Sequence, residues 1–374
     1  MGTTSTDPTF QEYLFPCDTC GSDLRFDPDQ GQMLCDHCGN SEPLLEHRRG
    51  VEIRELDFAQ AAANQLDAEE IEETRTSTCT NCAAEVSFDP SSHAMECPFC
   101  ATPIVTDTGV HRHIKPKGLL PFVLEERVAH DAMNNWLGRL WFAPSGLQDY
   151  ARKGRKMTGI YVPFWTYDAA TRTHYHGQKG IVYYETRHVR DSEGNMRARQ
   201  VAKTRWHSVK GSVSRQFDDI LVLGSRSLPE KHTRALAPWD LSELTPYSPE
   251  YLAGFRAEGY TIDLENGYDD ARQQMDRRIE RDIRFDIGGD KQRIQGSQTD
   301  VRNLTFKHIL LPIWVAAYKY RGKSYRFVVN GQTGAVEGER PYSTIKIALA
   351  VIALLLVIAA AAYGGYIYDD TVLR

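Results

Sequence analysis

The stretch Cys17–Cys38 reads CDTCGSDLRFDPDQGQMLCDHC, and 62 residues later the stretch Cys79–Cys100 reads CTNCAAEVSFDPSSHAMECPFC. Each stretch follows the pattern C-x2-C-x14-C-x2-C, and together they contain all 8 cysteines of the chain. The repeat extends beyond sulfur, because Phe26-Asp27-Pro28 returns as Phe88-Asp89-Pro90. A small unit is therefore duplicated, and we call its copies module 1 (Cys17–Cys38) and module 2 (Cys79–Cys100).

Two C-x2-C pairs in one module are typical of a tetrahedral metal site, because each pair places two thiolates on one tight turn. The 14 intervening residues suit a β-hairpin and predict a zinc ribbon, although the spacing is one residue below the usual range. We expect two structural Zn²⁺ ions, each with four thiolates and no position left for water. The predicted ligands are Cys17, Cys20, Cys35 and Cys38 in module 1 and Cys79, Cys82, Cys97 and Cys100 in module 2. Iron in a rubredoxin-like site is one alternative, and disulfides, which a reducing cytosol disfavours, are another.

Charge is distributed unevenly along the chain, whose formal net charge is -6. Residues 1–105 carry 20 Asp and Glu against 5 Lys and Arg, so the remaining residues carry a net +9. Module 1 contains five Asp and a single Arg, and each thiolate-bound Zn²⁺ centre adds about two negative charges. Proteins gain affinity for nucleic acid from Lys and Arg, so the acidic modules favour protein docking over nucleic-acid binding.

The basic excess is densest at Arg152, Lys153, Arg155 and Lys156. The anionic lipids of the cytoplasmic leaflet attract such a cluster when it lies near the surface. A solvated charge patch is the plain alternative, and a nucleic-acid-binding role for this half of the chain also stays open.

An uncharged run of 22 residues, Ile347–Tyr368, lies near the end of the chain. As a helix it extends about 33 Å, enough to cross the apolar core of a bilayer. Arg340 and Lys346 precede the run, and Asp369 and Asp370 follow it. The positive-inside rule therefore predicts a single-pass protein of the cytoplasmic membrane with its N terminus in the cytosol. A buried helix of a soluble domain is the alternative.

These features predict the α+β class and the following domain order. We expect a zinc ribbon at 13–42, an acidic helical linker at 43–76, a second zinc ribbon at 77–105, an α+β domain at 106–340, a transmembrane helix at 345–368 and an external tail at 369–374.

Periodicity gives a coarse secondary structure. Helix-forming residues predict about four helical turns in the linker, starting near Asp57. Within the α+β domain, apolar residues at helical spacing predict helices at 124–141 and 267–285. Alternating and β-branched segments predict strands at 159–167, 171–176, 180–186, 309–320 and 325–330.

Signals of catalysis are weak. Gly322-Lys323-Ser324 matches the end of a P-loop, but Ala317 stands where that motif needs Gly, and the next residues favour a strand. His111 and His113, like His174 and His176, fall on one side of a predicted strand without a third ligand spaced to complete a metal site. We therefore predict that the protein is not an enzyme.

With these motifs the chain resembles bacterial and archaeal proteins described as TFIIB-type zinc-ribbon-containing, often labelled primosomal protein N-prime-like or helicase-related. The likeness covers nearly the whole chain. It rests on the paired modules, on Leu120-Pro121-Phe122, Phe142-Ala143-Pro144, residues 159–165 and residues 329–334, and on the C-terminal apolar run. The helicase label finds no support here, because the chain lacks an ATP-binding motif.

We therefore expect a membrane-anchored zinc-ribbon protein that acts as a non-catalytic docking scaffold in the cytosol, with membrane lipids beside its α+β domain. The resemblance implies flotillin-like or phage-shock-protein-A-like partners and a role in envelope stress. The alternative is a nucleic-acid-binding zinc-ribbon protein associated with replication or transcription.

Overall fold

The computed structural model describes residues 15–44, 53–81, 84–87, 94–97, 99, 102–105, 110–144, 157–190, 196–228, 230–320 and 323–372. Over these ranges the chain forms a mixed α+β fold, which confirms the predicted class. The strands are β1 Leu24–Asp27, β2 Gln32–Cys35, β3 Ser41–Glu42, β4 Leu56–Asp57, β5 Ile71–Thr78, β6 Glu85–Ser87, β7 Ala94–Glu96, β8 Pro103–Val105, β9 Val110–Ile114, β10 Gly118–Leu119, β11 Thr158–Arg190, β12 Met196–Leu223, β13 Thr245–Pro246, β14 Arg256–Ala257, β15 Lys291–Tyr320, β16 Lys323–Asn330 and β17 Val336–Gly338. The α-helices are α1 Phe58–Ala62, α2 Glu126–Gly138, α3 Glu230–Ala235, α4 Leu264–Ile287 and α5 Thr344–Val372.

Three long antiparallel strands form the centre of the main sheet, in the order β12–β11–β15. Phe164 of β11 lies opposite Leu223 of β12 on one side and Ile309 of β15 on the other. The far edge of β15 is paired in turn with β4, β10 and β16. Because β15 is paired along both edges, it holds together segments from distant parts of the sequence.

The long strands bend together at a bulge beside Asp168. The register of β11 shifts between Tyr167 and Ala169 against β12, and again directly after Asp168 against β15. On the neighbouring strands, Asp219 and Asn303 take positive φ angles of 48° and 50°. Bulges bend a strand and increase its twist, so the sheet changes direction here.

Beyond this bend the sheet narrows to two strands. The last pair between β11 and β15 is Gly180 opposite Lys291, whereas β11 and β12 stay paired as far as Arg190 opposite Met196. We call this two-stranded extension, residues 181–190 and 196–205, the arm. Its strands are solvated on both faces, and Tyr184 is 66% exposed.

Both faces of the sheet are buried at the opposite end. Successive side chains of a strand point to opposite faces. Tyr161 therefore packs with Phe122 and Trp314 on one face, and Ile160 and Val162 belong to a second buried cluster on the other.

Helix α4 covers the Tyr161 face further along the sheet. Asp263 caps its start by accepting a hydrogen bond of 2.9 Å from the amide of Asn266, and Gly288 ends it with a φ of 64°. Its buried residues recur at nearly every fourth position and pack on the central strands. They are Leu264, Gly267, Ala271, Met275, Ile279, Ile283 and Ile287.

The predicted helices at 124–141 and 267–285 are confirmed as α2 and α4. The three strands predicted at 159–167, 171–176 and 180–186 are one continuous strand, β11. The gap between the first two predicted strands contains the bulge, which bends the strand without ending it. Residues 191–195, between β11 and β12, lie outside the described residues.

The predicted helical linker at 43–76 is wrong. Residues 45–52 lie outside the described residues, and the rest forms β4, the short helix α1, a 3-10 turn at Ala68–Glu70 and most of β5. Leu56 is buried and pairs with Phe306 of β15. Tertiary pairing thus overrides helix propensity, since β4 joins the main sheet and β5 pairs with β6 and β9 in a separate small sheet.

The C-terminal apolar run forms helix α5. Its window Thr344–Ala361 is long and apolar enough to cross a membrane, and 0% of it is buried against the rest of the chain. A core helix of a soluble domain would be covered by neighbouring elements, so this finding weighs against the buried-helix alternative. The helix also continues through Val372, so most of the predicted tail at 369–374 is helical.

Candidate metal centre

Module 1 folds as a small three-stranded sheet of β1, β2 and β3, with one cysteine turn before β1 and the other after β2. In the first turn the Cys17 amide donates to the Ser22 carbonyl at 2.8 Å, and in the second the Cys35 amide donates to the Asn40 carbonyl at 2.8 Å. Gly21 and Gly39 follow the second cysteine of each turn with φ angles of 73° and 75°. Residues without Cβ suit this left-handed backbone, which returns the chain to the strand.

These two turns bring four sulfur atoms together. The Sγ atoms of Cys17 and Cys38 are 3.6 Å apart, those of Cys20 and Cys35 are 3.5 Å apart, and all four lie within 4.8 Å of one another. Four thiolates about 2.3 Å from a central ion would be separated by about 3.8 Å in a tetrahedron. The residues therefore fit a tetrahedral metal ion, and module 1 contains a four-cysteine cluster that could hold one.

The disulfide alternative is not realised in module 1, because Cys17, Cys20, Cys35 and Cys38 are free thiols. Bonded sulfurs lie about 2 Å apart, much closer than the pairs in module 1. Cys17 and Cys35 are buried, whereas Cys20 and Cys38 reach the surface.

Hydrogen-bond donors beside the sulfur atoms of module 1 stabilise negative charge on the thiolates. The Asn40 side-chain amide donates to Cys17 Sγ at 3.6 Å and is itself held by Glu42 at 3.0 Å. A backbone hydrogen bond from Ser22 lowers the pKa of Cys20 to about 6. At Cys38 a backbone bond from Asn40 acts in the same direction, but desolvation and the neighbouring thiols outweigh it and raise the pKa to about 12. Four adjacent thiols cannot all ionise alone, whereas a bound cation favours the thiolate form of each.

Module 1 is seated on the main domain by an aromatic contact. Phe26, on the strand between the two cysteine turns, packs edge-on against Tyr251 with ring centroids 5.2 Å apart. Its amide donates to the Ala253 carbonyl at 3.0 Å. Gly254 leaves little space here, because an added Cβ would lie 2.9 Å from that of Arg25. Module 1 is thus built into the buried cluster around Tyr161.

Module 2 uses the same backbone device. The amides of Cys79 and Cys97 donate to the Ala84 and Thr102 carbonyls, five residues further on, at 2.8 Å each. Both cysteines are buried, like the first cysteine of each turn in module 1. Cys82 and Cys100 lie outside the described residues, so the second predicted site stays a prediction.

The module 2 residues Ala84 and Phe99 are fully buried in the cluster that contains Ile160 and Val162. This cluster lies on the sheet face opposite Tyr161. The two modules therefore contribute to cores on opposite faces of one sheet.

The other candidate site residues of the sequence analysis do not belong to a metal-binding group among the described residues. His174 and His176 are exposed on β11, and His113 packs edge-on against Tyr260 at 4.7 Å. Lys323 and Ser324 begin strand β16, which confirms that no P-loop helix follows them. The basic cluster at 152–156 lies outside the described residues.

Sequence reasoning missed a buried ion cluster at the bulge. Lys307 Nζ lies 3.0 Å from Glu55, 2.9 Å from Asp219 and 3.3 Å from Asp168. Burial raises the pKa of Asp168 to about 7, although the Asp219 amide and Lys307 oppose this shift. The cluster ties the segment before β4 to all three long strands. No sequence spacing signals it, because its members are up to 252 residues apart.

An arginine-lined cavity of about 620 Å³ lies between α3, α4 and the end of β12. Its lining includes the apolar residues Phe164, Leu221 and Trp239 and the basic residues Arg277 and Arg278. The lining contains no cysteine or histidine.

No family model matches the chain, and no solved structure matches it. The chain is similar to a protein of Bacillus subtilis (strain 168) described as uncharacterized protein YdjG. The two are 25% identical over 344 residues, which cover 89% of this chain and 92% of that protein. The likeness thus extends over nearly the full length of both chains.

Proposed function

We propose that this is a single-pass protein of the cytoplasmic membrane whose zinc-containing cytosolic part acts as a non-catalytic docking scaffold. The observation that carries the proposal is the closed four-thiol cluster of module 1, mounted rigidly on a sheet whose chain ends in an uncovered apolar helix. A site with four protein ligands leaves no position for a substrate, which favours a structural ion.

Zinc is the ion that this ligand set favours. Soft thiolates in a tetrahedron suit Zn²⁺, and iron is the alternative with the same ligands. The duplicated spacing extends the proposal to module 2, so the full chain binds about two ions. Metal analysis of the purified chain decides between the two metals. We expect zinc and a colourless protein, whereas iron and the colour of an iron–thiolate centre would contradict this assignment.

The orientation rests on charge. Arg340 and Lys346 lie before the uncharged run 347–368, whereas Asp369 and Asp370 follow it. The side with Lys and Arg stays in the cytosol, which places the modules and the main sheet there.

The docking surface is the acidic outside of module 1. Asp18, Asp23, Asp29 and Asp36 are all exposed, and a bound thiolate centre adds negative charge among them. Such a surface suits a partner protein with a basic face. The family resemblance favours flotillin-like or phage-shock-protein-A-like partners in envelope stress.

Affinity purification from detergent extracts tests this role. Asp18→Lys with Asp29→Lys reverses charge on module 1, and Asp269→Lys with Asp276→Lys reverses the same charge on the exposed side of α4 as the matched control. We expect a stoichiometric partner with the wild type and the control, and its loss with the module 1 variant. Equal recovery with all three chains, or no stoichiometric partner at all, would contradict the proposal.

A second candidate function, nucleic-acid binding, is favoured by the arm. Arg199 and Arg205 are exposed there, and Arg205 lies 5.2 Å from the ring of Tyr183. Two-stranded ribbons of this kind enter grooves of nucleic acids. Arg199→Ala with Arg205→Ala should then weaken binding and make it less sensitive to salt, whereas the absence of salt-dependent binding by the wild type would dismiss this function.

A further inference from the structure

An apolar turn lies beside the start of helix α5. Trp141 is 82% exposed and Phe142 is 42% exposed, although Ala143, the next residue, is buried. Large exposed aromatic residues side by side are unfavourable in water and often mark a contact surface.

This turn is rigid. Helix α2, whose Trp136 packs against Phe327, leads directly into it. Consecutive backbone hydrogen bonds then fix it, from Leu140 to the Leu137 carbonyl at 3.2 Å and from Ala143 to the Leu140 carbonyl at 3.0 Å. The position of Trp141 is therefore set by the core of the domain.

The turn is also bonded to the residue before α5 and to the first turn of that helix. The Ser343 amide donates to the Phe142 carbonyl at 2.8 Å, and Lys346 Nζ donates to the Ala143 carbonyl at 2.8 Å. Between turn and helix lies an open notch of about 580 Å³, lined by Trp141, Phe142, Lys346, Leu349 and Ala350. Its wall is apolar apart from the Lys346 ammonium group, which is turned back toward the domain.

Groups typical of a membrane interface surround the notch. Tyr342 is exposed directly before α5, and Arg340 lies 5.3 Å from its ring. Tryptophan and tyrosine prefer the headgroup level of a bilayer, and cations beside them suit anionic lipids. The notch is continuous with the apolar window of α5. We therefore expect a lipid acyl chain to occupy it.

We propose that the Trp141–Phe142 turn is a second membrane contact, which inserts into the headgroup and upper acyl region beside α5. The inference rests on the proposed function, since it requires α5 to cross the bilayer. Two contacts, one a helix and one a rigid turn, fix the tilt of the main sheet against the membrane, which a single helix alone would leave free.

Tryptophan quenching by lipids brominated at the first acyl carbons tests this contact in the full chain reconstituted into vesicles. The emission of Trp141 is the difference between wild type and Trp141→Phe. The matched control is the difference between wild type and Trp206→Phe, because Trp206 lies opposite Gly180 at the remote end of the sheet. We expect the brominated lipid to remove most of the Trp141 emission and little of the Trp206 emission.

Resistance to alkaline carbonate extraction separates the second membrane contact from the proposal that α5 crosses the bilayer. A chain that resists extraction but shows no quenching of Trp141 would overturn the second contact and leave the span intact. Equal quenching of both tryptophans would also overturn it, since contact would not be confined to this turn. Release by carbonate would remove the span and the inference together.

Discussion

The two cysteine modules share one backbone device and differ in how they are mounted. In every turn the amide of the first cysteine bonds to the carbonyl five residues on. Module 1 then continues with Gly21 and Gly39, whereas the sequence of module 2 has Ala83 and Ala101 at those positions. The modules also join cores on opposite faces of the sheet. The duplicated modules thus pack against opposite faces of one sheet, and each contributes to a different core.

The largest effect is expected from removing one ligand in each module. Cys17→Ser and Cys79→Ser should each lower the metal content from about two ions to about one, because each quartet is local. Cys17→Ser should also expose the Tyr251 face to protease, whereas Cys79→Ser should expose the segment near Ala84. Metal analysis and mapped proteolysis measure both. Loss of both ions from either variant would mean that the modules share ligands.

The seat of module 1 is tested by Phe26→Ala. Phe26 is 2% exposed, and its replacement leaves a cavity between the module and Tyr251, at a cost of about 3–5 kcal/mol in the free energy of unfolding. Denaturant unfolding of the full chain in detergent measures this. Phe285→Ala removes an equally large side chain that is 91% exposed and should change little. An equal loss in both variants would show that module 1 is not held by this contact.

We expect acid to destabilise β5 and β9, the strands next to module 2, before it destabilises module 1. His308 Nδ1 lies 2.7 Å from the Ile114 carbonyl of β9, the strand that pairs with β5 and so leads to Cys79. Burial, with His113 nearby, lowers the pKa of His308 from 6.5 to about 4, and the bond to Ile114 opposes this only in part. The unfolded chain therefore takes up the proton first, and stability is lost as pH falls through 6.5 toward 4.

The loss amounts to about 2 kcal/mol between pH 7 and pH 5. Hydrogen exchange, corrected for the intrinsic effect of pH, should quicken in β5 and β9 more than in β1 and β2. His308→Asn keeps a donor toward Ile114 without a titrating ring, so its exchange in β5 and β9 should depend less on pH. The same pH dependence in wild type and variant would contradict this role of His308.

The smallest effect concerns the glycine difference. Gly21→Ala places a Cβ on a backbone with a φ of 73° and should cost about 1–2 kcal/mol. Gly21→Asn should cost less, because asparagine tolerates the left-handed region. Thermal unfolding of both variants ranks them. If alanine were as stable as glycine, the first turn of module 1 would tolerate the residue type that module 2 carries.

Local signals in the sequence predicted local features well. The spacing of Cys17, Cys20, Cys35 and Cys38 predicted the cluster, and the stripe from Ala271 to Ile283 predicted α4. The linker prediction failed because Leu56 gains more from pairing with Phe306 than its neighbours gain from helix propensity. The Lys307 cluster and the seating of Phe26 join residues distant in the chain, and such contacts leave no periodic trace in one sequence.

The contact between module 1 and the main domain joins residues that are synthesised at different times. Phe26 leaves the ribosome 225 residues before Tyr251, the residue against which it packs. At about 5–20 residues per second, module 1 waits roughly 10–45 s for its site to be made. During that interval only its own short strands, and an ion when its four thiols hold one, keep the hairpin folded. Metal availability at the ribosome would then decide how much of the newly made chain reaches its native packing.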